Sequence, residues 1–120
     1  MVDNESQEMY METILRIQNK KGNVRAIEIA EELGYSKPSV SRAVGIMKKD
    51  GYIQVRPNGA IEFTESGRAK AESVFARHKS LTETFVKMGL AFSDAEQNAC
   101  RVEHVITDDA FKAIKDYFGV

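Results

Sequence analysis

Three residues with metal-binding chemistry lie close together near the end of the chain: Cys100, Glu103 and His104. Cys100 is the only cysteine, and the second histidine is His78. If a helix spans residues 94–105, the three residues occupy positions i, i+3 and i+4 and share one face. A thiolate, a carboxylate and an imidazole on one face are transition-metal ligands. The alternative is a buried cysteine beside a histidine that caps a helix.

The composition indicates one compact domain, or two small subdomains that share a core. The chain has 120 residues, of which 42% are hydrophobic and 29% charged, as in ordinary globular proteins. No run approaches 18 apolar residues, so we expect no membrane partner. Because the N-terminus is acidic and polar, unlike a secretory signal, and the single cysteine suits a reducing compartment, we expect a cytoplasmic protein.

Charge is segregated along the chain, although the net charge is only −1. Residues 1–15 carry four acids and no base, residues 16–57 carry nine bases and four acids, and residues 58–120 carry eight bases and ten acids. A basic segment between acidic ones is either an electrostatic footprint for phosphate or a solvated face. Charge alone leaves both interpretations open.

Apolar periodicity predicts three helices in the first half of the chain, over 6–20, over 24–34 and from the N-cap Ser36 to Lys49. Pro38 suits the first turn of the third helix, where an N–H has no partner. The predicted core positions are Tyr10, Met11, Ile14, Leu15, Ile17, Ile27, Ala30, Leu33, Val40, Ala43, Val44 and Met47.

A hairpin and three more helices are predicted in the second half. The predicted strands are 52–56 and 60–63, joined by Pro57-Asn58-Gly59, and the predicted helices are 65–87, 94–105 and 108–118. We expect Ser93 to be the N-cap of the fifth helix, with Glu96 completing a capping box, and Thr107 to cap the sixth. The expected fold is mainly α with a small β-hairpin.

Two short helices joined by a tight turn and followed by a hairpin indicate a winged helix-turn-helix over residues 1–64. The helix after the turn would lie in the major groove of double-stranded DNA. Its predicted contact residues are Ser36, Lys37, Pro38, Ser39, Ser41 and Arg42, with Lys48, Lys49 and Arg56 beside the DNA backbone. Arg42 is the best candidate for base recognition. The alternative is a winged helix that contacts proteins or is only structural.

Residues 65–120 are predicted to form a helical metal-binding and dimerisation domain. Their apolar residues exceed what three helices would bury among themselves, which favours a homodimer interface over a monomeric core. These residues are Phe85, Met88, Leu90, Ala91, Phe92, Val102, Val105, Ile106, Phe111, Ile114 and Phe118.

Nearly the whole chain resembles the diphtheria toxin repressor family of metal-dependent transcriptional repressors. The motifs that carry the resemblance are Glu8-Met9-Tyr10, Ser36 to Val44, Thr64-Glu65-Ser66-Gly67, Arg77-His78 and Ala99 to Val105. The resemblance implies that a divalent metal acts as co-repressor and orders a dimer for binding to an operator. It also implies a regulator rather than an enzyme, consistent with the lack of a nucleophile-and-base pair beyond the ligands.

The resemblance implies one principal ligand set. In the iron-responsive branch of the family, the metal site is similar to Met9, Cys100, Glu103 and His104. In the manganese-responsive branch, the Met9 position is an Asp and the Cys100 position is a Glu. Since thioether and thiolate ligands favour softer metals than Mn²⁺, the resemblance implies Fe²⁺, with Mn²⁺, Co²⁺, Ni²⁺ and Zn²⁺ left open.

Three further residues match ligand positions less completely. His78 matches a histidine of an ancillary site in the iron-responsive branch, but Thr82 and Glu96 occupy the positions of its Glu and its second His. Glu12 matches a ligand of the manganese-responsive branch. The alternatives are a manganese-responsive relative, a winged-helix regulator that ignores metal, and a small metalloenzyme that uses Cys100, Glu103 and His104.

Overall fold

The computed structural model describes residues 4–120, with side chains from Gln7 onward, so residues 1–3 of the acidic start lie outside the described range. The elements in that range are α1 (Asn4–Lys21), α2 (Ala26–Leu33), α3 (Lys37–Lys49), β1 (Ile53–Val55), β2 (Ile61–Phe63), α4 (Glu65–Lys87), α5 (Phe92–Val102) and α6 (Asp108–Phe118). This order confirms the predicted mainly helical fold with one hairpin. No helix within the described range is long and apolar enough to cross a membrane.

The described residues form two compact units, one that ends at residue 72 and one formed by residues 73–120. Helix α4 therefore contributes its first part to one unit and its remainder to the other. The predicted domain boundary between residues 64 and 65 stays a prediction.

Helices α1 to α3 and the hairpin build the first unit around a core of aliphatic side chains. The predicted apolar stripe of α1 is buried along its whole length, because residues three and four apart lie on one side of a helix. The fully buried large apolar side chains of this unit are Met11, Ile14, Val24, Ile29, Val40, Met47, Ile53 and Ile61. Helix α3 contributes three of its four predicted core positions, whereas Val44 is half-buried.

The predicted core face of α2 is wrong at one position. Ile27 is 41% exposed, and Ile29 is fully buried instead. Two apolar faces are available in this sequence, because Ala26, Ile29, Ala30 and Leu33 also follow helical spacing. Packing against α1 and α3 selects the face with Ile29, a choice that periodicity within one short helix does not determine.

The hairpin pairs β1 with β2 in antiparallel register, with Gln54 opposite Glu62. The side chain of Asn58 accepts a hydrogen bond from the amide of Ala60 and stabilises the turn. The amide of Ile61 donates to the carbonyl of Val24, which attaches the hairpin to the segment before α2.

Helix α5 begins and ends earlier than predicted. Its N-cap is Ala91, whose side chain makes no capping bond, so Ser93 lies inside the helix and no Ser93–Glu96 capping box forms. The amide of Ala95 bonds to the carbonyl of Ala91, which starts the helix ahead of Ser93. Helix α6 begins where predicted, with Thr107 accepting from the amide of Ala110.

Gly67 in the first turn of α4 marks a close approach of two backbone segments. A Cβ atom at this position would lie 1.8 Å from the carbonyl oxygen of Tyr52. That oxygen also accepts the amide of Thr64 at 3.0 Å, so it is held in place. The Thr64-Glu65-Ser66-Gly67 motif therefore joins the hairpin to the long helix.

We expect Gly67→Ala to lower the free energy of unfolding by about 1–3 kcal/mol, because overpacking outweighs the helix propensity of Ala. Gly45→Ala is the matched control: Gly45 lies in α3 with open space around its Cβ position, so stability should rise by roughly 0.5–1 kcal/mol. Urea unfolding followed by circular dichroism measures both. Equal changes in the two variants would contradict the close approach.

Candidate metal centre and DNA-binding surface

The second unit contains a fully buried carboxylate that lies between two histidines. Glu103 is 0% exposed. Its Oε2 lies 2.6 Å from Nδ1 of His78, and its Oε1 lies 3.1 Å from Nε2 of His104. A carboxylate and two imidazoles gathered at one buried point form a donor set that suits a divalent transition metal.

Two helices and a turn position these groups. Helix α5 ends at Val102, and Glu103 is its C-cap, with its amide bonded to the carbonyl of Ala99. His104 lies in the turn that follows, so the predicted helix over 94–105 is too long at this end as well. The amides of Val105 and Ile106 both bond to the carbonyl of Val102 and end the helix.

His78 comes from the middle of α4 and faces two acidic residues. Besides Glu103, it approaches Glu96, whose Oε2 lies 3.8 Å from Nε2. Thr82, one turn later, donates its hydroxyl to the carbonyl of His78 at 2.8 Å. The structure therefore brings together four predicted residues of this unit, listed in chain order as His78, Glu96, Glu103 and His104.

Cys100, unlike Glu103 and His104, is exposed on α5. Glu103 is buried and His104 half-buried, so the three residues do not share one environment as the helix over 94–105 implied. Cys100 as a metal ligand stays a prediction.

Arg77, which the sequence shows only as part of the Arg77-His78 motif, holds the turn that carries Glu103 and His104. Its Nη1 donates to the carbonyl of Glu103 at 2.9 Å, and its Nη2 donates to Asp108 at 3.2 Å. The guanidinium also lies 5.5 Å from the ring centroid of Phe111. Arg77 therefore links α4, the end of α5 and the start of α6. In the sequence, only the neighbouring His78 indicates that Arg77 could be important.

Two predicted ligands lie on α1 in the first unit, and each has a partner there. The Met9 sulfur accepts a hydrogen bond from the hydroxyl of Tyr35 at 3.4 Å. Glu12 is buried, and its Oε1 lies 3.5 Å from Nη1 of Arg16. Arg16 also pairs with Glu32 at 3.6 Å. The sequence does not reveal either partner, because the Tyr35–Met9 contact joins residues far apart in the chain and the Arg16–Glu12 pair is an ordinary i, i+4 pair on α1.

The predicted DNA-binding surface begins at the N-terminus of α3. Ser36 is the N-cap, as predicted, and its hydroxyl accepts the amide of Ser39 at 3.3 Å. It also donates to the hydroxyl of Ser39 at 2.9 Å, so the cap uses both hydroxyls. The other predicted contact residues of α3 are all exposed: Lys37, Pro38, Ser41, Arg42, Lys48 and Lys49.

Arg56 on the hairpin is exposed but has an ion-pair partner. Its Nε lies 2.7 Å from Oε2 of Glu62 on the opposite strand. The hydrogen bond and the charge of Glu62 raise the pKa of Arg56. The wing therefore presents a cation that a nearby acid already neutralises in part.

Comparison with known proteins places this architecture in a family. Residues 4–61 match the family described as "Iron dependent repressor, N-terminal DNA binding domain", and residues 64–120 match "Iron dependent repressor, metal binding and dimerisation domain". The chain belongs to the iron-dependent repressor family. This membership confirms the resemblance seen in the sequence.

Two curated members of the iron-dependent repressor family illustrate the relationship. The iron-dependent repressor IdeR of Mycobacterium tuberculosis (strain CDC 1551 / Oshkosh) is 36% identical over 103 residues, which are 85% of this chain and 45% of that protein. The diphtheria toxin repressor of Corynebacterium diphtheriae is 33% identical over 115 residues, 91% of this chain and 50% of that protein. The chain spans about half the length of the curated relatives it matches.

Solved structures show the same fold. A manganese-dependent transcriptional repressor in complex with manganese superposes with a TM-score of 0.86 at 24% identity, over 94% of this chain and 52% of that one. The IdeR of T. acidophilum superposes with a TM-score of 0.81 at 21% identity, over 94% and 54%. A Sulfolobus solfataricus protein described as hypothetical superposes with a TM-score of 0.71 at 18% identity, over 93% of this chain and 86% of that one.

We expect Arg77→Met to lower the free energy of unfolding by about 1–3 kcal/mol, because a charge-assisted hydrogen bond to the Glu103 carbonyl is lost. Lys112→Met is the control, since Lys112 forms only an exposed pair with Asp116 at 2.9 Å. That change should stay within about 0.5 kcal/mol. Thermal unfolding of the two variants measures the difference, and equal losses would show that Arg77 contributes no more than a surface pair.

Proposed function

We propose that this protein is a metal-dependent transcriptional repressor in which Fe²⁺ acts as co-repressor and orders a homodimer for binding to a double-stranded DNA operator. The observation that carries the proposal is the buried Glu103 carboxylate between His78 and His104, in a chain that also has a winged helix-turn-helix. As a DNA-binding regulator, it would act in the cytoplasm and not as an enzyme.

The proposed ligands fall into two groups. Glu103 and His104 are supported by their proximity in the structure, and His78 and Glu96 lie next to them. Met9, Glu12 and Cys100 enter the proposal from sequence resemblance alone. The bound metal would supply positive charge and fixed coordination, whereas Glu103 must be ionised and His104 neutral at its metal-binding nitrogen.

Fe²⁺ is the proposed metal because Met9 and Cys100 offer sulfur ligands, which suit Mn²⁺ poorly. The curated relative from M. tuberculosis is an iron-dependent repressor. Mn²⁺ is the second candidate, because Glu12 supplies a buried carboxylate and Cys100 is exposed. Intrinsic affinity would favour Co²⁺, Ni²⁺ and Zn²⁺ over Fe²⁺, so availability of the metal would decide occupancy.

The second unit supports the dimer. Helix α6 has no buried residue, and several large apolar side chains of this unit are exposed: Val86, Met88, Phe92, Val105 and Tyr117. Exposed apolar surface of this kind is typical of an interface. A metal that binds the DNA-competent arrangement more tightly than the incompetent one would raise the population of the competent arrangement. The size of this shift is limited by the difference between the metal's affinities for the two arrangements.

Replacing Cys100 or Glu103 by Ala should abolish metal-stimulated DNA binding, because each change removes a proposed ligand. The measurement is a gel shift under reducing conditions with Fe²⁺, Mn²⁺, Co²⁺, Ni²⁺ and Zn²⁺ at controlled free concentrations. The duplex is one that metal-loaded wild-type protein selects from a random-sequence pool.

Asn98→Ala is the matched control on α5, because Asn98 is exposed and its side chain bonds to the carbonyl of Asp94 in its own helix. It should keep wild-type metal stimulation. Wild-type stimulation in Cys100→Ala or Glu103→Ala would remove that residue from the ligand set, and DNA binding without any metal dependence in wild-type protein would overturn the proposal.

Arg42→Ala tests the recognition helix. If Arg42 reads a base, the change should cost about 1–3 kcal/mol in DNA binding and relax sequence preference at one position. If Arg42 contacts only phosphate, affinity should fall for every sequence and the salt dependence should become shallower. Arg101→Ala, an exposed arginine on α5, is the control, and fluorescence anisotropy across a salt series separates the outcomes. An unchanged affinity in Arg42→Ala would contradict the proposed surface.

A further inference from the structure

Tyr35 connects the first helix to the turn that precedes the recognition helix. It lies between Gly34, which ends α2 with φ of 69°, and Ser36, the N-cap of α3. Its amide donates to the carbonyl of Ala30 at 3.1 Å, so its backbone is fixed to the end of α2. A movement of its side chain therefore acts directly on a short, well-defined turn.

The side chain of Tyr35 extends away from the turn to α1. Its hydroxyl donates to the sulfur of Met9 at 3.4 Å. Its ring meets the ring of Tyr10 edge-to-face, with centroids 5.9 Å apart and planes at 68°. Burial raises the pKa of Tyr10, and a Tyr35 phenolate would raise it further. Two consecutive residues of α1 thus hold one side chain of the turn.

The chemistry of a thioether determines how a metal ion on the Met9 sulfur would change this hydrogen bond. The sulfur of Met9 has two lone pairs, and the Tyr35 hydroxyl uses one of them, which leaves the other for a metal ion. A cation on the sulfur draws electron density away from it and weakens it as a hydrogen-bond acceptor. Metal binding would therefore loosen the link between Met9 and Tyr35.

We infer that Tyr35 is a positioning residue through which metal bound at Met9 changes the N-terminus of the recognition helix. This inference rests on the proposed function, because it requires Met9 to be a ligand. The residue that follows Tyr35 is Ser36, whose hydroxyl caps α3 through Ser39. A shift of Tyr35 would move the first turn of α3, which carries the proposed DNA contacts Lys37 and Ser39.

The test compares Tyr35→Phe with Tyr52→Phe in the full chain. Both changes remove one phenol oxygen, and the Tyr52 ring lies beside the hairpin, 4.8 Å from the ammonium of Lys70. Co²⁺ is the probe metal, followed by its absorption spectrum, and DNA binding is measured by anisotropy with and without Co²⁺ on the selected duplex.

We expect Tyr35→Phe to reduce the Co²⁺-induced gain in DNA affinity by about three- to tenfold, the range for loss of one hydrogen bond. The gain should fall because DNA affinity without metal rises in Tyr35→Phe, where the link that metal would loosen is already absent. Tyr52→Phe should keep both the wild-type affinity and the wild-type gain. In metal-free protein, the ¹³C-methyl resonance of Met9 should shift in Tyr35→Phe and not in Tyr52→Phe. A wild-type gain in Tyr35→Phe would overturn the inference.

Met9→Leu separates failure of this inference from failure of the proposed function. If Met9→Leu weakens Co²⁺ binding and the further change Tyr35→Phe then has no additional effect on the gain, Tyr35 acts through Met9 as inferred. If Tyr35→Phe instead has the same effect in the wild-type background and in the Met9→Leu background, its role is merely structural. Unaltered Co²⁺ binding in Met9→Leu would overturn both the ligand assignment and the role of Tyr35.

Discussion

The buried carboxylate of Glu103 is the constraint around which the second unit is arranged. A charged group removed from water is costly unless polar partners surround it. His78 and His104 supply those partners at its two oxygens, and Arg77 fixes the backbone that carries it. Since the partners come from α4 and from the turn after α5, the site requires both elements to be in place.

The first unit is stabilised mainly by apolar packing. Its aliphatic core fixes three short helices and a hairpin, and polar contacts determine how the surface residues are presented. The Ser36 cap sets the start of α3, and Thr64 and Gly67 fix the start of α4 against the hairpin. The proposed α1 ligands Met9 and Glu12 already contact Tyr35 and Arg16, so the DNA-binding unit and the proposed metal chemistry share side chains.

The order of elements could be predicted from the sequence because strong local signals mark it. Short-range geometry determines three of the helices: α3 begins after the Ser36 cap with Pro38 in its first turn, α6 begins after the Thr107 cap, and α1 follows its apolar stripe. The errors arise where local signals compete: α2 has two apolar faces, and Ser93 is a better capping residue than Ala91, which the backbone nevertheless uses. For α5, the backbone bond from the amide of Ala95 to the carbonyl of Ala91 begins the helix without a side-chain cap.

The candidate site was predictable in its residue types but not in its arrangement. Glu103 and His104 were found from spacing, yet their positions depend on where α5 ends, and no strong stop signal marks Val102. Arg77 and Tyr35 were missed because their importance comes from contacts with residues far away in the sequence. Such contacts require the tertiary fold and leave no periodic pattern.

The position of Glu103 at the C-terminal end of α5 has an electrostatic consequence. The backbone dipoles of a helix place roughly half a negative charge at this end, so an ionised Glu103 carboxylate would add to a potential that is already negative. Arg77, bonded to the Glu103 carbonyl, opposes that potential with a permanent positive charge. The proposed metal ion would therefore meet a negative potential at the end of α5, on a turn that Arg77 already holds.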